Sequence, residues 1–347
     1  MTEDLLAVVA AAAGLAVFGG SAASARREPV APGTPGRLAG KDPTLWGTAA
    51  TSIARHRLGW VDGYRRGREL LPQIAELCAE LADLDEVVVA APATATSAIA
   101  RSLGVPLTVL GLDPPRLRDA VADPDRLGRT VVVLTDEAGH LLDTFWPAYL
   151  DAGRTEAEAG RHFVAVTGPG SALEKSAAER GVLILPADPE VSGAFGALTA
   201  STLVPAALAG VDVADLLDQA ELLAPSLAGD TGNPALALGA ALTSTSGLIA
   251  LVNDGTGFEG LGDWAAELLA AAGLRAVAVD DPGTEQRTRS GVLTVSYGGA
   301  LGPASLPGGG VRPDVAVNGP LGAQFLAWQY GVAIAAAALG SNPFSDN

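Results

Sequence analysis

Residues 130–144 read TVVVLTDEAGHLLDT and gather most of the chain's obvious proton chemistry: Asp136, Glu137, His140 and Asp143, closed by Thr144. His140 among these acids could serve as a general base or an anion partner, or stand as a solvated neighbour of the helix cap. The β-branched run that precedes them, and the helical pattern that begins near Leu141, make this a strand–turn–helix. Such a turn points backbone N–H groups and a positive dipole end outward and is suited to hold phosphate. Here it carries carboxylates instead, which cap a helix dipole themselves and repel a phosphate group. At about 5 Å and an effective dielectric of about 20, that repulsion is on the order of several kcal/mol. A second turn, APATATS (91–97), follows EVVVAAP and offers Thr94, Thr96 and Ser97 as hydroxyl donors, with Pro92 contributing no N–H. The other histidines, His56 and His162, have no ligand-like company.

The elements that must position these residues form a regular series. EVVVAAP (86–92), PLTVLG (106–111), TVVVLT (130–135), HFVAVTG (162–168) and VLILPA (182–187) are short β-branched runs, mostly separated by helical patterns such as LLPQIAELCAELA (70–82). Continuous apolar strands alternating with helices imply a parallel sheet covered on both faces. The second half repeats the scheme with GLIALVND (247–254), LRAVAVD (274–280) and VLTVSY (292–297). There a helix over 261–273 has Gly273 as its cap, GGALGPASLPGGG (298–310) is a glycine-rich loop, and a long apolar helix runs over 322–340. The fold class expected is α/β, two sandwiches in tandem.

Bulk properties exclude several functions. The chain has 347 residues, with 39 acidic against 22 Lys and Arg, a formal net charge of −17. Nucleic acid is therefore not an expected partner. Cys78 is the single cysteine, which rules out an internal disulfide and any multi-cysteine metal site and suits a reducing cytoplasm. No phosphate-binding Walker loop, dinucleotide fingerprint, zinc spacing or nucleophile elbow occurs, so neither cofactor nor metal is expected. The apolar stretch LLAVVAAAAGLAVFGGSAASA (5–25) follows acidic MTED, unlike a secretory signal, and its strictly apolar part ends near Phe18, short of a membrane span. A buried or partner-packed helix is expected there, followed by a Pro/Gly-rich connector over 26–47.

Several stretches, in order, resemble one family. KDPTLWG (41–47), RLGWVD (57–62), TGPGSALEKSA (167–177), ALTASTLVPAALAGVDVADLLDQAE (197–221) and GPLGAQFLAWQYGVAIAAAALGSNPF (319–344) are similar to segments of bacterial phosphoglucose isomerases of the actinobacterial type. The resemblance implies two flavodoxin-like sugar isomerase (SIS) subdomains, with parallel sheets covered by helices on both faces. It divides the chain into an N-terminal helical segment and connector over 1–60, a first SIS domain over 61–205, and a second over 206–347 with the C-terminal helix. It also implies a homodimer.

What the resemblance implies for the site is loss. The family's first phosphate loop, Gly-x-Gly-Gly-Ser-Ser, aligns with residues 91–96, where alanines replace glycines and Thr94, Thr96 and Ser97 remain as the ligand-binding remnant. Its second loop, Ser-Lys-Ser-Gly-Thr-Thr-x-Glu-Thr, aligns with 136–144, where Gly139, Asp143 and Thr144 persist. Ala194 stands where the family has its cation, Ala271 where it has its base, and Gln329 where the last helix has a glutamate. The family's catalytic lysine follows the Asn-Pro-Phe segment, whereas this sequence continues only as SDN, with Lys41 and Lys175 its lysines. No catalytic residue is thereby assigned, and His140 is the remaining candidate. The expected function is that of a catalytically inactive, phosphoglucose-isomerase-like SIS protein with a binding, regulatory or assembly role in carbohydrate metabolism, paired with itself or with an active paralogue. One alternative is an active sugar-phosphate isomerase with an altered site, using Thr94, Thr96, Ser97 and Thr144 to hold a phosphosugar. Another is a sensor of a neutral or cationic small molecule attracted by Asp136 and Glu137. No membrane association is expected.

Overall fold

The computed structural model describes residues 6–19, 29–136, 138–191, 193–279, 291–301 and 313–344. The chain divides into two compact units, one made of residues 66–189 and 199–213, the other of 1–65, 190–198 and 214–347.

The first unit is built on a sheet of β3 (Glu86–Ala90), β4 (Thr108–Leu110), β5 (Thr130–Leu134), β6 (Phe163–Thr167) and β7 (Leu183–Pro186), in the order β4-β3-β5-β6-β7 with every pairing parallel. Within the unit this is strand order 2-1-3-4-5, the flavodoxin-like arrangement. Side chains on both faces are buried. Val88, Val132, Leu134, Phe163 and Ala165 point into one core, and Val87, Val89, Val131, Val133, Val164 and Val166 are also 0–5% exposed. Helices therefore cover both sides: α1 (Leu71–Glu80), α2 (Thr94–Leu103), α3 (Gly139–Asp151), α4 (Ala172–Glu179) and α5 (Ala200–Leu208). His162 belongs to this core. Its Nδ1 lies 2.8 Å from the Thr130 carbonyl, which also accepts from the Tyr149 hydroxyl, and the imidazole stacks on the Tyr149 ring at 4.3 Å. Burial pushes the imidazole's pKa below its ordinary value.

The second unit contains β8 (Leu248–Asn253), β9 (Arg275–Val279), β10 (Val292–Gly298) and β11 (Val315–Asn318), parallel and in the order β9-β8-β10-β11. The next position is filled from the other end of the chain. The segment expected to be a helix over 5–25 is, over its described residues 6–19, a hairpin of β1 (Leu6–Ala10) and β2 (Leu15–Gly19), and β2 pairs antiparallel with β11. The sheet is thus mixed rather than purely parallel. The apolar run could not distinguish strand from helix by periodicity, but Gly14, at φ +58°, supplies the tight turn a helix would not contain. Leu15 and Val17 are buried on the sheet. Gly319 completes the fit, because a Cβ there would come within 2.7 Å of the Gly14 carbonyl oxygen.

The long apolar pattern forms α8 (Leu321–Leu339), buried on every side from Leu321 to Ala336. It is long and apolar enough to cross a membrane by length and composition, yet here it is the core. α6 (Pro234–Leu242) crosses it so closely that a Cβ on Gly239 would sit 2.7 Å from the Gly331 carbonyl oxygen. α7 (Leu261–Ala271) brings Trp264 edge-on to Phe325 at 4.6 Å. Gly273, at φ +78°, ends α7 as expected. The segment over 43–61 packs on α8: the Trp46 indole N–H donates to the Ala333 carbonyl at 3.0 Å, and the Tyr330 hydroxyl donates to the Val61 carbonyl at 3.3 Å. The glycine-rich loop expected over 298–310 lies mostly outside the described residues.

Two measurements follow from this packing. Gly239→Ala is expected to destabilise the protein by about 1–3 kcal/mol in urea unfolding, whereas Gly139→Ala, where nothing lies within 4 Å of the added Cβ, shifts the midpoint little. Because His162 is held neutral in the folded state, the unfolded chain binds its proton first. Stability is then lost as pH falls below about 6.5. His162→Phe should keep the stack on Tyr149 and flatten that part of the stability–pH curve; an unchanged slope would assign the acid sensitivity elsewhere.

Candidate functional site

The carboxyl ends of parallel strands, where the chain turns into the following helix, are where α/β sheets hold ligands. In the first unit these turns follow β3, β5 and β6, and the sequence-derived candidates fall on the first two.

After β3, Ala93 takes a left-handed conformation at φ +37° and α2 begins without a side-chain cap. Thr94 and Ser97 are half-buried, but Thr96 is 3% exposed and faces the interior. Of the three hydroxyls expected to remain, Thr96 is therefore a core residue.

After β5, the helix begins two residues earlier than the pattern near Leu141 suggested. α3 starts at Gly139, with Ala138 as N-cap and no side-chain cap hydrogen bond from it. Asp136 lies ahead of it and does not cap it. Its carboxylate accepts a short hydrogen bond from the Thr167 hydroxyl at the end of β6. Thr167 Oγ1 is also 2.6 Å from Ser171 Oγ, and Ser171, the N-cap of α4, accepts from the Glu174 amide at 2.9 Å. The expectation that carboxylates neutralise the α3 dipole by capping is thus corrected for Asp136, whose negative end is instead tied to the neighbouring turn. Glu137 lies outside the described residues. Thr144 donates to the His140 carbonyl at 2.8 Å, so its hydroxyl serves its own helix. Gly139 is exposed, with open space where a side chain would be. His140 is half-buried, and its Nε2 has no hydrogen-bond partner among the described residues.

The structure therefore brings together Asp136, Thr167 and Ser171 in a chain, the carboxylate accepting from the Thr167 hydroxyl and that hydroxyl pairing with Ser171. Sequence reasoning passed over the last two. The pattern that could have found them is Ser171-x-x-Glu174, a helix start placed directly after a strand that ends in a threonine.

In the second unit, the positions where the resemblance puts a cation, a base and a glutamate have packing roles. Ala194 is buried, and its carbonyl accepts from the Trp264 indole at 2.8 Å. Ala271 is the last residue of α7. Gln329, 1% exposed on α8, donates from Nε2 to the Phe195 carbonyl at 2.6 Å. An ionised glutamate could not make that bond. Among the described residues no group of three or more His, Cys, Asp or Glu side chains is placed to hold a metal ion.

No protein-family model matches the chain. Over 191 residues, 51% of the chain, it is 31% identical to a probable glucose-6-phosphate isomerase of Haloarcula marismortui. Over 97 residues it is 37% identical to a glucose-6-phosphate isomerase of a Synechococcus species. These matches cover 42% and 18% of those proteins, so the chain spans less than half the length of the curated relatives it matches. The crystal structure of a glucose-6-phosphate isomerase from Chlamydia trachomatis superposes with a TM-score of 0.66 at 15% identity, covering 96% of this chain and 86% of that one. The fold is accordingly the α/β fold of the SIS phosphosugar isomerases.

Restoring the acid on α8 tests the packing role of position 329. Gln329→Glu should cost about 3 kcal/mol at neutral pH, by setting an acceptor against the Phe195 carbonyl in a buried site. Burial raises the acid's folded pKa above its unfolded value, so the deficit shrinks at low pH and grows as pH rises. Thermal unfolding across pH reads this directly; a pH-independent deficit would show that the side chain had escaped to solvent.

Proposed function

We propose that this chain is a phosphoglucose-isomerase-like SIS protein that binds or assembles without isomerising sugar phosphates, working in the cytoplasm in carbohydrate metabolism. The supporting sequence likeness is to glucose-6-phosphate isomerases, and the fold is theirs. The observation that carries the reading is the state of the turns after β3 and β5. Asp136 accepts from the Thr167 hydroxyl, which in turn pairs with the Ser171 hydroxyl, Thr144 is bonded back to its own helix, and Thr96 is internal. A phosphate dianion there meets a carboxylate in place of a ring of donors. Isomerisation also needs a base to carry a proton between neighbouring carbons and a positive group to steady the enediolate. The aligned positions hold Ala271 and Ala194.

The role left to such a protein is interaction, either as a homodimer or with an active paralogue. The second reading, favoured by the exposed Asp136 carboxylate, is a sensor for a neutral or cationic small molecule at the same turns.

Purified protein incubated with fructose 6-phosphate and a glucose-6-phosphate-consuming coupling enzyme should give no turnover above the uncatalysed rate. Calorimetry with glucose 6-phosphate at millimolar concentration should show no heat of binding. Turnover at ordinary enzyme rates, on the order of 1–1000 per second, would overturn the proposal; binding without turnover would move the ligand, but not the chemistry, back into the site.

A further inference from the structure

The carboxyl edge of the second sheet holds a different assembly, unrelated to the residues above. β8 and β10 are neighbours, but the chain leaves β8 towards β9 on one side, and β11 lies on the other side of β10. Their ends therefore form the point where the strand order reverses. Asp254, directly after β8, is 6% exposed and folds inward over β10. Gly298 makes room for it: a Cβ there would lie 1.9 Å from Asp254 Oδ1. The carboxylate accepts from the Thr256 amide at 2.8 Å, the Thr256 hydroxyl at 2.6 Å and Asn318 Nδ2 at 2.8 Å. These donors are all neutral. No Lys, Arg or His occurs between Gly181 and Leu274, and no ion pair reaches Asp254 among the described residues.

β10, β11 and α8, which meet at this edge, carry three oxygen atoms with nothing to accept from among the described residues. Among the described residues, Asn318 Oδ1, Gln324 Oε1 and Ser296 Oγ are buried without a hydrogen-bond partner, on residues that are each 0% exposed. The amide orientations are forced. Asn318 must turn its nitrogen to Asp254, and Gln324 must turn its nitrogen to the Gly298 and Gly319 carbonyls, at 2.8 and 3.1 Å. Reversing either amide would set oxygen against oxygen. Asn318 is the register partner of Gly298, and Ser296 stands two residues earlier on the same face of β10. The loop above is exposed at Gly255, Thr256 and Gly257, and four of its positions take positive φ: Gly255, Gly257, Phe258 and Gly260. For Phe258, at φ +68°, this is strained backbone of the kind concentrated at ligand sites.

We propose that this cluster is a site for a monovalent cation, held by Asp254 with the side-chain oxygens of Asn318 and Gln324. An all-oxygen set without nitrogen or sulfur selects a hard ion. A single carboxylate among neutral oxygens balances one positive charge, whereas a divalent ion would leave an excess in a buried place. Water could satisfy the amide oxygens but not the charge. An alkali metal ion and ammonium share the chemistry, and the two are separated by direct comparison.

The test compares thermal unfolding of the full chain in sodium, potassium, ammonium and tetramethylammonium chloride at equal ionic strength. Sodium, potassium or ammonium at about ten times its dissociation constant should raise the midpoint by roughly 2–4 °C over tetramethylammonium, which is too large to enter. Asp254→Asn should abolish the difference. If that variant does not fold, crystals of the wild-type protein grown in thallium(I) acetate should show anomalous density between Asp254, Asn318 and Gln324. Equal midpoints in all four salts, or an ordinary water at that position in the thallium crystals, would overturn the proposal.

Discussion

A helix without a polar face must be covered on every side, and α8 imposes that condition on the whole second unit. From Leu321 to Ala336 it has no residue open to solvent. Its neighbours are therefore recruited from throughout the unit's sequence. α6 approaches through the Gly239–Gly331 contact, α7 through Trp264, and the 43–61 segment through Trp46 and Val61. Trp60 packs against both Phe195 and Tyr330, so the 193–196 turn is drawn into the same shell. A close-packed interior of this kind resists even single added methyl groups.

That shell also explains why the positions marked by the family resemblance are quiet. Ala194 and Gln329 touch the core helix or its cover through backbone-directed bonds: the Ala194 carbonyl receives the Trp264 indole, and Gln329 Nε2 holds the Phe195 carbonyl. Small and neutral side chains are what tight packing favours at such places, because an unpaired charge there would be costly. In the first unit the same economy appears at the Asp136 turn, where hydroxyls that could face a ligand are bonded within the protein.

The parallel strands of both sheets were legible because β-branched runs such as VVVA, TVVVL and FVAVT are bounded by turns and separated by helical periods. The second half of α8 was legible for the opposite reason, since unbroken alanine and leucine favour a helix. β11 was not: its four residues, VAVN, are too short to carry a pattern. The hairpin over 6–19 was misread because a short apolar run buried in a sheet looks like a buried helix, and only the tertiary pairing with β11 decides between them. At the site, residue types gave the absence of glycines and basic groups, but not which oxygen each hydroxyl would choose. The bonds from Thr167 to Asp136 and from Thr144 to His140 depend on where β6 ends and α3 begins, and element ends are set by three-dimensional context.

The pairing of β2 with β11 has a consequence for how the chain is made. During synthesis, residues 6–19 leave the ribosome before everything between Gly19 and Val315, so the hairpin waits with one apolar strand uncovered while the all-parallel sheet of residues 86–186 is completed behind it. Closure of the mixed sheet must wait until β11 has emerged, and until then the edge of β2 is a place for chaperones to hold or for neighbouring chains to invade.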